Sequence, residues 1–430
     1  MVKYICENCN KTFAQKGHLY HHYNRKHPCK KNNLTEALVE QEVKEVLSLT
    51  NEEMLKNDII LTHNMQSNTM DTSIRTREVI PEKIHRLNYI GSKFQLLEWI
   101  TNNMKEKTGW NTFSNKIIGD LFAGTGIVSY HFRKNMATVI SNDAELYSSI
   151  ITHAFTCSLY TDKCKKIIDE LQQEIEENKH STTNGFITTQ YSPQGLNERK
   201  FFTVENAKRI DYIRNRLEMI KETISEDEYK FILASILLSA DAVSNVPAVY
   251  GCFLKNFKAK AVKNLKLVPI HNNTIAPISG SNTYNSDVLN EDFISSFETD
   301  LVYLDPPYNE RQYSKNYFPL NIIAKSPEKL LTELPLKGKT GIPTDCFISP
   351  FCKKGDTVEK AFDLLFHKLK TKWVFLSYNS ESIISKEKML AIMQKYGTAS
   401  VIERDYKRFK SFEYNNDVNI KEYLFCLNKT

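Results

Sequence analysis

The chain has 430 residues, 41% of them hydrophobic, with only 14 Gly and 13 Pro. It is long enough for two or more domains, and its composition excludes a disordered or fibrous chain. A formal charge of +6 permits a polyanionic partner without requiring one, and no apolar run approaches the roughly 18 residues that span a bilayer. The polar start Met1-Val2-Lys3-Tyr4 lacks the apolar stretch of a signal peptide, so an intracellular protein is expected, with no membrane partner. Nine Cys is an odd number, and Cys157, Cys164, Cys252, Cys346, Cys352 and Cys426 show no framework spacing, which fits free thiols in a reducing compartment.

Residues 1–31 carry a metal-ligand spacing. Two residues separate Cys6 from Cys9, twelve more intervene, and His22 and His27 follow with four between them. Two thiolates on a tight hairpin and two imidazoles about one helical turn apart close a tetrahedron around Zn²⁺. Tyr4, Phe13 and Leu19 stand where Cys2His2 zinc fingers place the apolar residues beneath the metal, so the whole stretch resembles such a small ββα finger. The resemblance implies a structural Zn²⁺. With Leu19 as the fourth helical position, it also puts Gln15, His18 and His21 where fingers face base edges. His21 adjoins the ligand His22 and reads equally as a spare imidazole. One finger reads only about 3 bp, so auxiliary DNA affinity is expected, with protein contact or a structural role as the alternative.

Residues 32–82 read as a connector. Leu34 and Leu38 on one side, and Val39, Val43, Val46 and Leu47 on another, stand among glutamates and predict an amphipathic helix within 34–55. From Asn57 to Arg77 the Asn, Ser, Thr and Met composition has no period and reads as linker.

From residue 83 the pattern is that of an α/β sheet. Ile117 to Asp120 predicts a strand running into a turn at Gly124 and Gly126, with a helix from Ile127 whose first N–H groups are free for a ligand. A second strand, Ala137 to Asn142, ends at Asp143, about twenty residues on, the spacing at which an Asp takes ribose hydroxyls. Upstream, Leu87-Asn88-Tyr89-Ile90-Gly91-Ser92-Lys93 precedes a predicted helix from Phe94 to Met104. The run Asp120-x-Phe122-x-Gly124-x-Gly126 is similar to the S-adenosylmethionine loop of class I methyltransferases. Tyr89-x-Gly91-Ser92-Lys93 is similar to a segment lining the cofactor site in Dam-like adenine methyltransferases. The resemblance implies a cofactor site formed by these residues, with Asp143 on the ribose.

Residues 146–280 exceed what a Rossmann-like sheet needs between its second and third strands, so an insertion with its own core is expected. Thr152 to Asn178, Val204 to Ile224 and the apolar Phe231 to Val243 read as helices. Tyr250 to Lys258, followed by Lys260, Lys263 and Lys266, interleaves aromatics with positive charge, which suits phosphate contact and base stacking; Lys255 and Lys258 are the candidates for DNA, and a solvated basic surface is the alternative.

Leu301 to Leu304 predicts a buried strand that stops at Asp305-Pro306-Pro307-Tyr308, because neither proline can donate to a ladder. Asp305 and the outward carbonyls are acceptors, and Tyr308 adds a flat face; together they suit a planar amine bearing two N–H donors. This resembles the Asp-Pro-Pro-Tyr motif of DNA adenine-N6 methyltransferases. The order of Lys93 segment, glycine loop, insertion and Asp305 is similar to that of their alpha group, in which the insertion recognises the target sequence. By resemblance, Asp287 accepts from the cofactor's adenine. Arg311 and Tyr313 belong to a polar, aromatic loop, and Trp373 to Glu381 repeats the strand with a polar end. With Arg404 to Arg408, including Lys407, these features are similar to the methyltransferases that accompany type IIS restriction enzymes.

The expectation is therefore an α/β, Rossmann-like methyltransferase sheet (83–145 and 281–430) with an inserted helical target-recognition region (146–280), behind a finger (1–31) and connector (32–82). Its cofactors are S-adenosylmethionine and Zn²⁺. Its partners are double-stranded DNA and a cognate restriction endonuclease, and it acts as a monomer. Cytosine-N4 methylation, where Ser usually replaces the Asp, and an inert DNA-binding domain are the alternatives, and RNA is left open as a substrate.

Overall fold

A computed structural model describes residues 4–5, 12–13, 83–87, 89–407 and 419–430. The chain divides into two units, 1–79 and 80–430. In the first, β1 (Tyr4–Ile5) and β2 (Thr12–Phe13) pair antiparallel, with Tyr4 opposite Phe13 and Ile5 opposite Thr12. Cys6, Cys9, His22 and His27, Gln15, His18 and His21, and the predicted connector helix and linker lie outside the described residues. Among the described residues no cluster of three or more His, Cys, Asp or Glu side chains is placed to hold a metal.

The second unit is built on seven strands: β3 (Ile117–Asp120), β4 (Thr138–Asn142), β5 (Asn282–Tyr284), β6 (Thr299–Leu304), β7 (Thr371–Asn379), β8 (Gly397–Lys407) and β9 (Asn419–Lys429). Their order across the sheet is β5-β4-β3-β6-β7-β9-β8; the first five are parallel, and β9 runs antiparallel to both its neighbours. Strand β6 shows why the sheet is covered on both sides. Leu301 and Tyr303 belong to one buried cluster, Val302 and Leu304 to the other, and none of the four is exposed. Alternating Cβ directions thus feed two cores, as a parallel strand requires.

The long helices are α1 (Leu97–Thr108), α2 (Ile127–Lys134), α3 (Leu146–Thr156), α4 (Asp162–Glu176), α5 (Val204–Met219), α6 (Glu226–Ala242), α7 (Asp356–Lys368) and α8 (Lys386–Met393). Phe362 of α7 and Met389 of α8 cover one face of the sheet. The other face is covered by Ile100 of α1, Val128 of α2 and Ile151 of α3, continuous with Ile168, Ile213 and Leu233 of the inserted helices. The insertion was expected to have a core of its own. Instead its apolar faces join the core of the sheet, because α3 packs on the sheet side and against α6 at once.

Helix boundaries differ from expectation where caps intervene. A 3-10 turn, Lys93–Leu96, precedes α1, and the predicted helix from Thr152 is two helices, since Thr161 caps α4 by accepting from Cys164 N. Helix α6 begins at Glu226, ahead of the apolar run, because Ser225 and Glu228 form a capping box. No helix among the described residues is long and apolar enough to cross a membrane. The six cysteines at 157, 164, 252, 346, 352 and 426 are free, as expected.

One buried cation ties the insertion down. Arg133 of α2, 4% exposed, donates to Phe155 O (2.6 Å), Ser158 O (3.0 Å) and Ile275 O (2.7 Å), joining both ends of the inserted stretch to the sheet. Arg133→Ala leaves those carbonyls without their donor and is expected to lower stability by roughly 2–4 kcal/mol in urea denaturation.

Candidate active site

Strand β3 pairs with β4 on one side and β6 on the other, so the strand order reverses there and a crevice opens beyond the carboxyl ends. It encloses ≈ 1160 Å³ and is lined by the Tyr89–Lys93 segment, the glycine turn, Asp143, Asp287 and the Asp305–Tyr308 turn, which the sequence places hundreds of residues apart.

At the β3–β4 end the glycine turn closes on an acid. Asp143 accepts from Gly124 N (2.8 Å) through one oxygen and from Glu145 N (2.9 Å) through the other. Gly124 has φ +54°, and a Cβ there would stand 3.3 Å from the Tyr89 ring, so this turn must be glycine. Gly126 was expected to let a ligand approach. It also packs on α3, where a Cβ would meet Thr152 Cα at 2.8 Å. Asp120 lies beneath the turn, 1% exposed, accepting from Ser129 Oγ at 2.6 Å; burial pushes its carboxyl up to about 7. Phe122 packs edge-on to Phe351 at 5.1 Å. Asn142, an unforeseen residue, bonds both the N–H (3.0 Å) and the carbonyl (3.0 Å) of Ser286, and so brings Asp287 to the crevice beside Asp143. Asp287 Oδ1 accepts from Leu289 N (3.0 Å).

At the β6 end, Asp305 Oδ1 accepts from Lys93 Nζ (3.0 Å) and from the Tyr308 hydroxyl (2.8 Å). Lys93, read by resemblance as a cofactor-site residue, is 4% exposed, also donates to Gly91 O (2.9 Å), and lies 4.8 Å from the centre of the Tyr308 ring. Burial pushes the Asp305 carboxyl up, against the pull of Lys93 and the Tyr308 hydroxyl. Asp305 Oδ2 has no hydrogen-bond partner among the described residues, and the side chain is 19% exposed. The Tyr308 ring is held edge-on to Tyr378 at 5.1 Å, and its carbonyl accepts from Ile383 N (3.1 Å). Tyr89, Tyr313 and Tyr317 form an aromatic wall, with Tyr89 stacked on Tyr317 at 4.8 Å.

The candidate DNA residues are dispersed. Arg311 and Tyr313 line the crevice, and Arg311 is exposed. Lys255 is exposed, while Lys258 turns inward and donates through Nζ to Val246 O. Lys407 is the last residue of β8. The inserted loop reaches the site nonetheless: Tyr250 N donates to Asn316 O (2.7 Å), and Ala248 lines the crevice. The Gly338–Gly341 stretch is a tight turn whose carbonyls accept from Arg199 and Tyr191.

Residues 89–392 match the D12 class N6 adenine-specific DNA methyltransferase family. The chain belongs to that family. It is 38% identical over 344 residues to the type II methyltransferase M.CviAII of Paramecium bursaria Chlorella virus 1, covering 80% of this chain and 98% of that protein. It is 38% identical to M.NlaIII of Neisseria lactamica, covering 80% and 100%, and 33% identical to M.FokI of Planomicrobium okeanokoites, covering 80% and 53%. An N6-adenine DNA methyltransferase is thus the outcome, rather than the cytosine-N4 or inert alternatives.

The methyl donor of the D12 class, S-adenosylmethionine, is a sulfonium cation, and the crevice suits one. Burial raises Asp143 and Glu145, which line it beside the glycine turn, so a cation among them is welcome. Glu145 and Glu422 escaped the sequence reading. Glu145 accepts from Asn321 Nδ2 (2.6 Å); burial, then the charge of Asp143, pushes it up to about 8. An acid raised in the folded state binds more protons folded than unfolded, so stability falls as pH rises between about 4.5 and about 8. Thermal unfolding of the ligand-free protein should show that fall, and Glu145→Gln should flatten it, gaining on the order of 2 kcal/mol over wild type at pH 8.

Proposed function

We propose that this D12-class enzyme methylates an adenine swung out of duplex DNA, and that Asp305, Pro306, Pro307 and Tyr308 grip that base. An adenine inside the duplex cannot reach a crevice at the sheet edge, and flipping it costs a few kcal/mol. Stacking on Tyr308 returns roughly 1–3 kcal/mol. The observation that carries the reading is the division of labour at Asp305. Lys93 and the Tyr308 hydroxyl hold Oδ1 and fix the carboxylate, while Oδ2 is left as an acceptor beside the ring.

Asp305 Oδ2 and the Pro306 carbonyl accept the two hydrogens of the exocyclic amine. Their pull withdraws the nitrogen lone pair from ring conjugation and aims it along the crevice. S-adenosylmethionine supplies the electrophilic methyl group when bound. Gly124, Phe122, Asp143 and Asp287 are assigned to hold it, since they line the same crevice as Asp305. Catalysis is then positioning and electrostatics, without a covalent enzyme intermediate. Asp305→Ala is expected to lower methyl transfer by about a thousandfold or more while leaving cofactor affinity within a few-fold, read by mass identification of N6-methyladenine and by calorimetry. An undiminished rate would overturn the assignment.

The inserted region is assigned to target recognition, supported by the Tyr250–Asn316 link that puts it at the rim of the crevice. The type II methyltransferases among the relatives support a role as the modifying half of a restriction pair. For residues 1–31 the ligand spacing, together with the β1–β2 pairing that brackets Cys6 and Cys9, supports a zinc finger with auxiliary DNA affinity. Metal analysis should find one zinc per chain, absent after Cys6→Ser; a metal-free wild type would overturn it.

A further inference from the structure

Strand β9 buries an acid that nothing above employs. Glu422 stands opposite Asn379 of β7 and Arg404 of β8, 7% exposed, in a strand whose neighbours on the same face, Leu424 and Cys426, belong to the apolar core. Its carboxyl has no hydrogen-bond partner among the described residues, and it lines the crevice with Lys93, Asp305 and Tyr308. Its oxygens open on the crevice from an apolar strand face, where burial disfavours the ionised form, so a packing role alone would favour an apolar side chain there. The charges that act on it are Lys93, which favours its ionised form, and Asp305, which opposes it. Glu422 acts in turn on Tyr303 and Tyr308, and Arg404 faces it from the exposed edge of β8.

We propose that Glu422 is a positioning residue for methyl transfer: from the same crevice its charge competes with Asp305 for the field of the Lys93 ammonium, and so leaves Asp305 the negative charge with which it holds the substrate amine. The proposal rests on the reading of Asp305 as amine acceptor. Asp305 and Lys93 alone sum to zero charge, so a fully engaged lysine weakens the aspartate as an acceptor. An ionised Glu422 brings the three to a net single negative charge, placed where positive charge arrives on the adenine nitrogen as the methyl group moves. A protonated Glu422 gives the lysine back to Asp305. Burial pushes Glu422 up to about 7, so this exchange falls within the working pH range.

The test compares wild type, Glu422→Gln, Glu422→Asp and Asp305→Ala with S-adenosylmethionine and duplex DNA from pH 5.5 to 9. Wild-type kcat/KM should rise with pH through an inflection near neutrality. Glu422→Gln should lower kcat about tenfold at pH 8 and lose that inflection, with KM for the cofactor within about twofold, and Glu422→Asp should restore the inflection. Without cofactor or DNA, the stability of wild type relative to Glu422→Gln should fall between pH 4.5 and about 7 and then level off. A Glu422→Gln enzyme with wild-type kcat, or one slowed equally at every pH with the inflection intact, overturns the proposal. If Asp305→Ala is inactive in the same series, only the role of Glu422 falls; if it is active, the acceptor reading falls first.

Discussion

The ion pair between Lys93 and Asp305 is the contact on which the site depends. Lys93 arrives from a turn ahead of the first helix, Asp305 from the end of β6, and 212 positions of chain separate them. At 4% exposure Lys93 has exchanged water for one carboxylate, one carbonyl and the face of a tyrosine. Removing either partner strands a buried charge, so the pair couples the Tyr89–Lys93 segment to the geometry of the crevice. The Tyr89–Tyr317 stack and the bond from Ile90 N to the Tyr317 hydroxyl (3.2 Å) reinforce the same seam.

Around that seam the enzyme gathers carboxyl groups whose ionisation burial opposes. Asp120, Asp143, Glu145, Asp305 and Glu422 are all raised by burial, and each raised carboxyl is a cost to the empty fold. A D12-class enzyme binds a cationic methyl donor, which converts the share of that cost held by Asp143 and Glu145 into affinity. The crevice is in this sense completed by its ligand, and its stability and its chemistry draw on the same set of acids.

What the sequence revealed follows from how locally each signal is encoded. Leu301 to Tyr308 was legible because an apolar run, a charge and two prolines are adjacent, and they do form the end of β6. The glycine turn and Asp143 were legible because strand, turn and acid follow one another within thirty residues, and they do meet. Glu422 was not legible, since a lone acid in a half-buried strand looks like an exposed one until β9 is known to lie beside β7. The pairing of Lys93 with Asp305 was hidden for the same reason: a motif names a residue and leaves its partner across the sheet unstated. The capping box at Ser225 and Glu228 was local and readable, yet the apolar run after it drew the helix boundary inward.

The shared core of the inserted helices and the sheet bears on how such enzymes diversify. Helix α3 touches the sheet and α6 together, and Arg133 clamps both ends of the insertion from beneath. A region built this way cannot be lifted out and grafted between homologues as a cassette, because its hydrophobic underside is half of someone else's interior. If the insertion has the target-recognition role proposed for it, new preferences arise by drift in surface loops such as Pro247 to Lys255, on a scaffold whose helices stay put.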